Sequence, residues 1–213
     1  LAHQPLNLPA LVLLVSGGHT QIRYCRGPSL LDSEVIAQSR DDAAGEAFDK
    51  TAKLLGYGYP GGIHIDRGAR KGDPGRHPLP RPLAGGNQTD LSFSGIKTAV
   101  ANLVRKIGPT QLEVERQHLC AAIERAIVHH LLEKVRIAKR STGATRIGVV
   151  GGVAANTLLR QELAAEFGSG FVAPPLAYCT DNGAMIAVAG GLAFRAGRAL
   201  QGRALLELGA VPS

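Results

Sequence analysis

Two pairs of adjacent glycines each follow a short apolar run in this 213-residue chain. Gly17-Gly18 follow residues 11–15, and Gly151-Gly152 follow residues 147–150. Adjacent glycines can expose backbone N–H groups to the oxygens of a phosphate or carboxylate. Taken alone, the first motif favours a plain hairpin turn. Because a second such turn occurs far along the chain, we interpret both as candidates for binding an anionic ligand.

Acidic side chains follow the first glycine turn. Asp42, Glu46 and Asp49 form a polar row on a helix predicted over residues 42–55. One interpretation is a solvated face with an ion pair between Asp49 and Lys53 at i,i+4. The other is that these carboxylates bind hydroxyl or amino groups of a ligand held by the glycine turn.

Three further polar residues are candidates for ligand contacts. Asp66 lies on a short helix predicted over 63–71. Asn156 is predicted one turn into the helix after the second glycine pair, where its amide could contact a sugar or a base. Asp181 precedes the last helix, and a helix N-cap is its alternative role. His129 and His130 are adjacent on a predicted helix, so we expect surface or packing roles and not a metal pair.

A basic stretch precedes the long helices. Arg70, Lys71, Arg76 and Arg81 fall in or beside residues 72–90, which lack periodicity and predict an extended surface loop. Together with the net charge of +7, they suggest a contact with a phosphate backbone. A solvated loop without a partner is the alternative.

The hydrophobic pattern predicts an α/β fold. A polar cluster provides Asp41 or Asp42 as N-cap of the first helix. The predicted strands cover 11–15, 21–25, 33–38, 147–150 and 171–173. The predicted helices cover 42–55, 63–71, 91–106 and 114–140. Two more helices are predicted, one from the second glycine pair through 163 and a last one, rich in small residues, after 182.

Composition narrows the function classes. Aromatic residues make up 4% of the chain, with no Trp, which argues against gripping single-stranded nucleic acid by base stacking. Three cysteines without CxxC spacing argue against a disulfide framework and a cysteine zinc site, and they fit a reducing cytosol. There is no apolar run of about 20 residues and no signal segment. Because the chain begins at Leu1 close to a buried strand, we expect a fragment of a longer protein.

Five sequence blocks resemble one family. They are LLVSGGHTQ (13–21), DDAAGEAFDKTAKLLGYGYPGG (41–62), LSFSGIKTA (91–99), GGVAAN (151–156) and CTDNGAMIA (179–187), in that order. They resemble the tRNA threonylcarbamoyladenosine-forming transferases, TsaD, formerly called the Gcp or O-sialoglycoprotein endopeptidase family. The resemblance covers almost the entire chain.

The resemblance implies an actin-like ATPase fold, shared with sugar kinases and heat-shock chaperones, with two lobes around a nucleotide cleft. It implies that residues 1–213 are the second lobe plus the final helix. The family's first lobe and the HxxxH metal ligands before the VSGGHT block would then be absent, since His3 has no histidine four residues away. The implied reaction moves a threonylcarbamoyl group from threonylcarbamoyl-AMP to N6 of the adenosine at tRNA position 37 and releases AMP.

The resemblance also implies the site residues. Those matching the adenylate loop are Leu14, Val15, Ser16, Gly17 and Gly18, and those matching further substrate contacts are Asp49, Gly62, Asp66 and Asn156. Asp181 matches a catalytic ligand to one divalent metal, iron(II) or zinc. Implied partners are tRNA and TsaB-like and TsaE-like proteins in a bacterial cytoplasm, and ATP is a second candidate nucleotide.

Two other functions compete with the transferase. A nucleotide-binding scaffold without chemistry would keep the glycine turns and need no complete metal site. A metallopeptidase, as in the old family name, would need a metal-binding motif, but the chain has no HExxH, and Asp181 alone cannot hold a catalytic zinc.

Overall fold

One five-stranded sheet organises the part of the chain that the structure, a computed structural model, describes: residues 6–27, 32–80, 90–195 and 197. The strands are β1 (Ala10–Val15), β2 (Thr20–Cys25), β3 (Ser33–Gln38), β4 (Ile147–Val150) and β5 (Phe171–Val172). Their order across the sheet is β3-β2-β1-β4-β5. The predicted strands are all confirmed, and no end shifts by more than one residue.

The central pair of strands positions both glycine turns. β1 pairs antiparallel with β2 as the predicted hairpin, and β2 pairs antiparallel with β3. β1 runs parallel to β4, with Leu14 opposite Val150. Because parallel strands end at the same edge of a sheet, the turn after β1 and the turn after β4 lie side by side.

Five α-helices accompany the sheet among the described residues. They are α1 (Ala44–Leu54), α2 (Gly61–Ala69), α3 (Ser94–Thr142), α4 (Thr157–Phe167) and α5 (Gly183–Arg195). α1, α2 and α3 pack against one another, and α4 contacts α3 and β5. The two helices predicted over 91–106 and 114–140 are confirmed as the two halves of α3, which meet at a kink. The backbone at Gly108, with φ +73° and ψ 171°, is not helical, and Pro109 follows it.

The core lies between the sheet and the helices. Leu11, Leu13 and Val15 on one face of β1 are fully buried, whereas Val12 and Leu14 on the opposite face are half-buried. The stripe predicted on α3 packs against this core and consists of Leu119, Ile123, Ile127, Leu131 and Val135. His129 is exposed and His130 is buried against Phe93, as expected for adjacent helical residues.

The last described helix is apolar but buries no residue. In α5, Ile186 is 65% exposed and Phe194 is 83% exposed. No helix in the described ranges is both long enough and apolar enough to cross a membrane.

Asp41 joins the start of α1 to the start of α3. The predicted N-cap role of Asp41 or Asp42 on α1 is wrong, because the N-cap position is Ala43. The Asp41 carboxylate instead accepts hydrogen bonds from the Ser92 hydroxyl (2.5 Å), the Phe93 amide (2.8 Å) and the Ser94 hydroxyl (2.8 Å). It therefore satisfies backbone and side-chain donors at the N-terminal end of another helix.

Replacing Asp41 by Ala should lower the free energy of unfolding by about 1 kcal/mol, the usual cost of losing a helix cap. Burial alone would raise the pKa of Asp41, but the hydrogen bonds from Ser92, Phe93 and Ser94 outweigh it and lower the pKa. A carboxyl with a lowered pKa stabilises the fold above its ordinary pKa, and this contribution is lost as the pH falls below about 4. Urea unfolding at neutral and acidic pH tests both effects. If Asp41→Asn costs as much as Asp41→Ala at neutral pH, the capping role is incorrect, since Asn keeps an acceptor.

Candidate functional site

Two clefts open at the edge of the sheet where β1 and β4 end. The first has a volume of about 750 Å³ and is lined by the β1–β2 turn and by residues around Asp181. The second has a volume of about 670 Å³ and lies among α1, α2 and the turn after β4. Gly17 and Cys179 line both clefts.

The structure divides the predicted site residues between these clefts. Those on the first cleft are Leu14, Ser16, Gly17, Gly18 and Asp181, and those on the second are Gly17, Asp49, Gly62, Asp66 and Asn156. Val15 lines neither cleft because its side chain belongs to the buried face of β1. The predicted site residues therefore lie along two clefts that share a rim, and not in one enclosed pocket.

The first glycine turn is closed by its own serine. The Ser16 hydroxyl accepts hydrogen bonds from the Gly18 amide (3.3 Å) and the His19 amide (3.0 Å), and the Ser16 amide donates to the His19 carbonyl (2.8 Å). Neither Gly17 nor Gly18 has a positive φ. The Gly18 amide, which we expected to be free for a ligand, is thus already used within the turn, as is the neighbouring His19 amide.

The start of α1 lies directly on this turn. The Gly45 amide donates to the Ser16 carbonyl (3.1 Å), and the Ala44 amide donates to the Thr20 hydroxyl (2.8 Å). A Cβ on Gly45 would lie 2.6 Å from the Ser16 carbonyl oxygen, so only glycine allows this approach. The helix that carries Asp49 is thereby fixed against the β1–β2 turn.

The second glycine turn leads into α4 through one short 3₁₀ turn, Gly152–Ala155. Asn156 is the N-cap of α4, where its side-chain oxygen accepts from the Leu159 amide (2.9 Å). The prediction that Asn156 lies one turn inside the helix is wrong. As an N-cap, it lies on the rim of the second cleft with its amide nitrogen directed to two carboxylates.

Asp49 has a backbone partner in place of the expected lysine. Its Oδ1 accepts from the Gly61 amide at 2.7 Å, at the start of α2. The predicted pair with Lys53 is absent from the ion pairs of the described residues. Asp49 therefore connects α1 to α2 and brings Gly62 to the same cleft.

Asp66 connects α2 to the start of α4. Its Oδ1 accepts from the Thr157 amide (2.8 Å) and the Asn156 side chain (3.3 Å), and its Oδ2 pairs with Arg70 (2.5 Å). The carboxylate therefore lies at the N-terminal end of α4, where negative charge is stabilised by the helix dipole.

Glu124 completes this cluster and was not predicted. It lies on α3, is 7% exposed, and accepts from the Asn156 side-chain nitrogen at 2.6 Å. Burial raises the pKa of Glu124 to about 7; the hydrogen bond from Asn156 opposes this shift, and the negative charge of Asp66 adds to it. The sequence could have indicated Glu124 by its spacing. It lies four residues after Cys120 and three before Ile127, so it is an acidic residue within the apolar stripe of the helix.

Asp181 is an exposed carboxylate on the first cleft. Its side chain has no hydrogen bond or ion pair with any residue in the described ranges. The alternative role as N-cap of α5 belongs to Asn182, whose side-chain oxygen accepts from the Met185 amide (3.0 Å). The described residues contain no group of three or more His, Cys, Asp or Glu side chains placed to bind one metal ion. Asp181 alone therefore does not form a metal site.

Two of the predicted basic residues in the described part of the chain pair with carboxylates. Arg70 pairs with Asp66, and Arg76 pairs with the buried Glu115 at 2.5 Å. Lys71 is exposed, and Arg81 lies outside the described residues. Arg70 and Arg76 keep 61% and 50% of their side chains exposed, so both guanidinium groups retain access to solvent.

The sheet order and the clefts at the ends of the central strands define the class of protein as an actin-like ATPase fold. One solved structure with this fold is the activator of the 2-hydroxyisocaproyl-CoA dehydratase from Clostridium difficile with bound ADPNP. It matches with a TM-score of 0.51 and 14% identity, over 91% of this chain and 64% of that one.

The family is defined by sequence. The model for TsaD, tRNA N6-adenosine threonylcarbamoyltransferase, matches residues 1–188, and the chain belongs to this family. The relative named as this transferase in Chromobacterium violaceum is 49% identical over 201 residues, which are 92% of this chain and 58% of the relative. The Wolinella succinogenes relative is 43% identical over 186 residues, 86% of this chain and 56% of the relative. The chain thus spans rather more than half the length of these relatives.

Proposed function

We propose that this chain serves in transferring a threonylcarbamoyl group from threonylcarbamoyl-AMP to N6 of the adenosine at position 37 of a tRNA. The observation that carries the proposal is the convergence of two glycine turns and three polar side chains, Asp49, Asp66 and Asn156, at the ends of β1 and β4. A cleft of about 670 Å³ there is within the usual range for a nucleotide-sized ligand.

Each group has a role that its chemistry supports. The turn at residues 14–18 would face the phosphate, with Gly17 at the rim that both clefts share. Asp49 and Asp66 would accept hydrogen bonds from ribose hydroxyls, and Asn156 would contact the nucleoside. The acyl end of the ligand would then extend into the first cleft toward Asp181.

The reaction needs no covalent intermediate on the protein. The N6 nitrogen attacks the carbamoyl carbon, the bond from that carbon to the phosphate oxygen breaks, and AMP leaves with the electron pair. The N6 proton is released to solvent. The chain would then contribute by holding the adenylate in position for the attacking nitrogen and by excluding competing water. Holding two reactants in the right geometry lowers the barrier of the reaction.

The metal, the tRNA contact and the partners are further parts of the proposal. An iron(II) or zinc ion bound partly by Asp181 would polarise the carbonyl group, but it needs ligands beyond the described residues. The tRNA phosphates would contact the exposed parts of Arg70, Lys71 and Arg76, and also Arg81. TsaB-like and TsaE-like proteins would assist in the cytoplasm, where tRNA is modified.

Incorporation of labelled threonine into tRNA tests the proposal. The assay supplies threonylcarbamoyl-AMP, tRNA and the partner proteins, and it compares this chain with the chain joined to the upstream part of the Chromobacterium violaceum relative. We expect incorporation with the joined protein. If neither protein incorporates threonine while adenylate still binds, the function is that of a nucleotide-binding scaffold.

A further inference from the structure

We propose that Glu124 is a positioning residue for the nucleotide site, because it orients the side-chain amide of Asn156 on the rim of the second cleft. The inference rests on the proposed function and adds to it a residue that lies outside the five matched sequence blocks. Glu124 is buried on α3, whereas Asn156 lines the cleft.

The Asn156 amide is held in one orientation by three contacts. Its oxygen accepts from the Leu159 amide (2.9 Å), which leaves both N–H groups to face the carboxylates. The side-chain nitrogen donates to Glu124 at 2.6 Å and to Asp66 at 3.3 Å. The longer bond to Asp66 is the weaker one, so a ligand can replace it while Glu124 keeps the amide in place.

The charge of Glu124 determines whether it repels an anionic ligand while it orients Asn156, and that charge depends on the groups around it. Asp66 and Arg70 face it from α2, Asn156 faces it from the turn before α4, and Cys120 lies one turn away on α3. Burial raises the pKa of Cys120 to about 11, so this thiol is neutral. With a pKa of about 7, Glu124 changes charge near neutral pH. Its ionised form places a second negative charge beside Asp66, close to where an anionic adenylate would bind.

Binding of a 5′-O-(N-acylsulfamoyl)adenosine tests this role, because that probe carries one negative charge that is constant across the pH range. Between about pH 5.5 and about pH 8.5 the affinity of the wild-type chain should fall about fivefold. Glu124→Gln keeps the acceptor for Asn156 and does not titrate, so its affinity should be independent of pH and equal to the acid-side wild-type value. Glu124→Leu lacks the acceptor and should bind about tenfold more weakly than Glu124→Gln at every pH.

A matched control is Glu113→Gln, an exposed acid on the same helix, which should keep the wild-type profile. The positioning role is overturned if Glu124→Leu binds like the wild type or if Glu124→Gln retains the pH dependence.

A measurement without ligand separates this inference from the proposed function. The NMR signals of the Asn156 side-chain amide should titrate with a midpoint near 7 in the free wild-type chain and should not titrate in Glu124→Gln. If they do not titrate in the wild type, Glu124 does not control Asn156, whatever binds in the cleft. If they titrate as expected but the probe binds at no pH, the proposed nucleotide site is wrong and the Glu124–Asn156 coupling stands.

Discussion

Gly151→Ala should lower the free energy of unfolding by about 3 kcal/mol or more. Gly151 has φ +98° and ψ 169°, a combination that essentially only glycine adopts. A Cβ at this position would lie closer than 3.0 Å to the Val15 carbonyl oxygen at the end of β1. The substitution therefore introduces backbone strain and also separates two paired strands. Urea unfolding followed by circular dichroism measures the change.

The neighbouring residue provides a matched control. Gly152 is exposed, does not have a positive φ, and a Cβ there would meet no atom within 4 Å. Gly152→Ala should change the free energy of unfolding by about 0.5 kcal/mol or less. Equal effects of the two substitutions would show that Gly151 is not required for the contact between β1 and β4.

Most of the sheet could be predicted from the sequence because its signals are local. Runs of β-branched and aliphatic residues bounded by glycine or polar residues marked every strand, and the apolar repeat from Leu119 to Val135 marked the long helix. The two halves of α3 were predicted as separate helices, and the kink at Gly108 confirms this division. The sequence places their boundary only within several residues, because the turn occupies the single residue Gly108 before Pro109.

The partners of the polar site residues could not be predicted, since they come from distant parts of the chain. Asp41 binds donors around Ser92, 51 positions away, instead of capping its own helix. Asp49 accepts from the Gly61 amide, a contact that exists only after α1 and α2 pack together. Local rules favour i,i+4 pairs and N-caps, whereas tertiary packing gave these carboxylates backbone partners.

The glycine turns illustrate the same difference. Gly17 and Gly18 suggested positive φ and free amides, but the Ser16 hydroxyl already accepts from that turn. The requirement for glycine instead falls on Gly45 and Gly151, where another backbone approaches too closely for a Cβ. The glycines of the motifs thus line the two clefts, whereas neighbouring elements determine at which positions glycine is required.

Asp181→Ala should reduce threonylcarbamoylation of tRNA about 100-fold when it is made in the joined protein described above, if Asp181 is a metal ligand. The fold should be unaffected. Asp181 is exposed and has no side-chain partner among the described residues, so its loss should change the free energy of unfolding by about 0.5 kcal/mol or less. The rate of labelled threonine incorporation and urea unfolding of the same samples test the two parts.

The adjacent residue separates chemistry from local structure. Asn182→Ala removes the cap of α5 and should cost about 1 kcal/mol of stability, but it leaves the Asp181 carboxylate in place. Asp181→Asn keeps the shape of the side chain and removes its charge, so under the proposed role it should lose nearly as much activity as Asp181→Ala. If Asn182→Ala is as inactive as Asp181→Ala, or if Asp181→Asn is fully active, the carboxylate has no direct role. The activity would then depend on the conformation of the segment before α5.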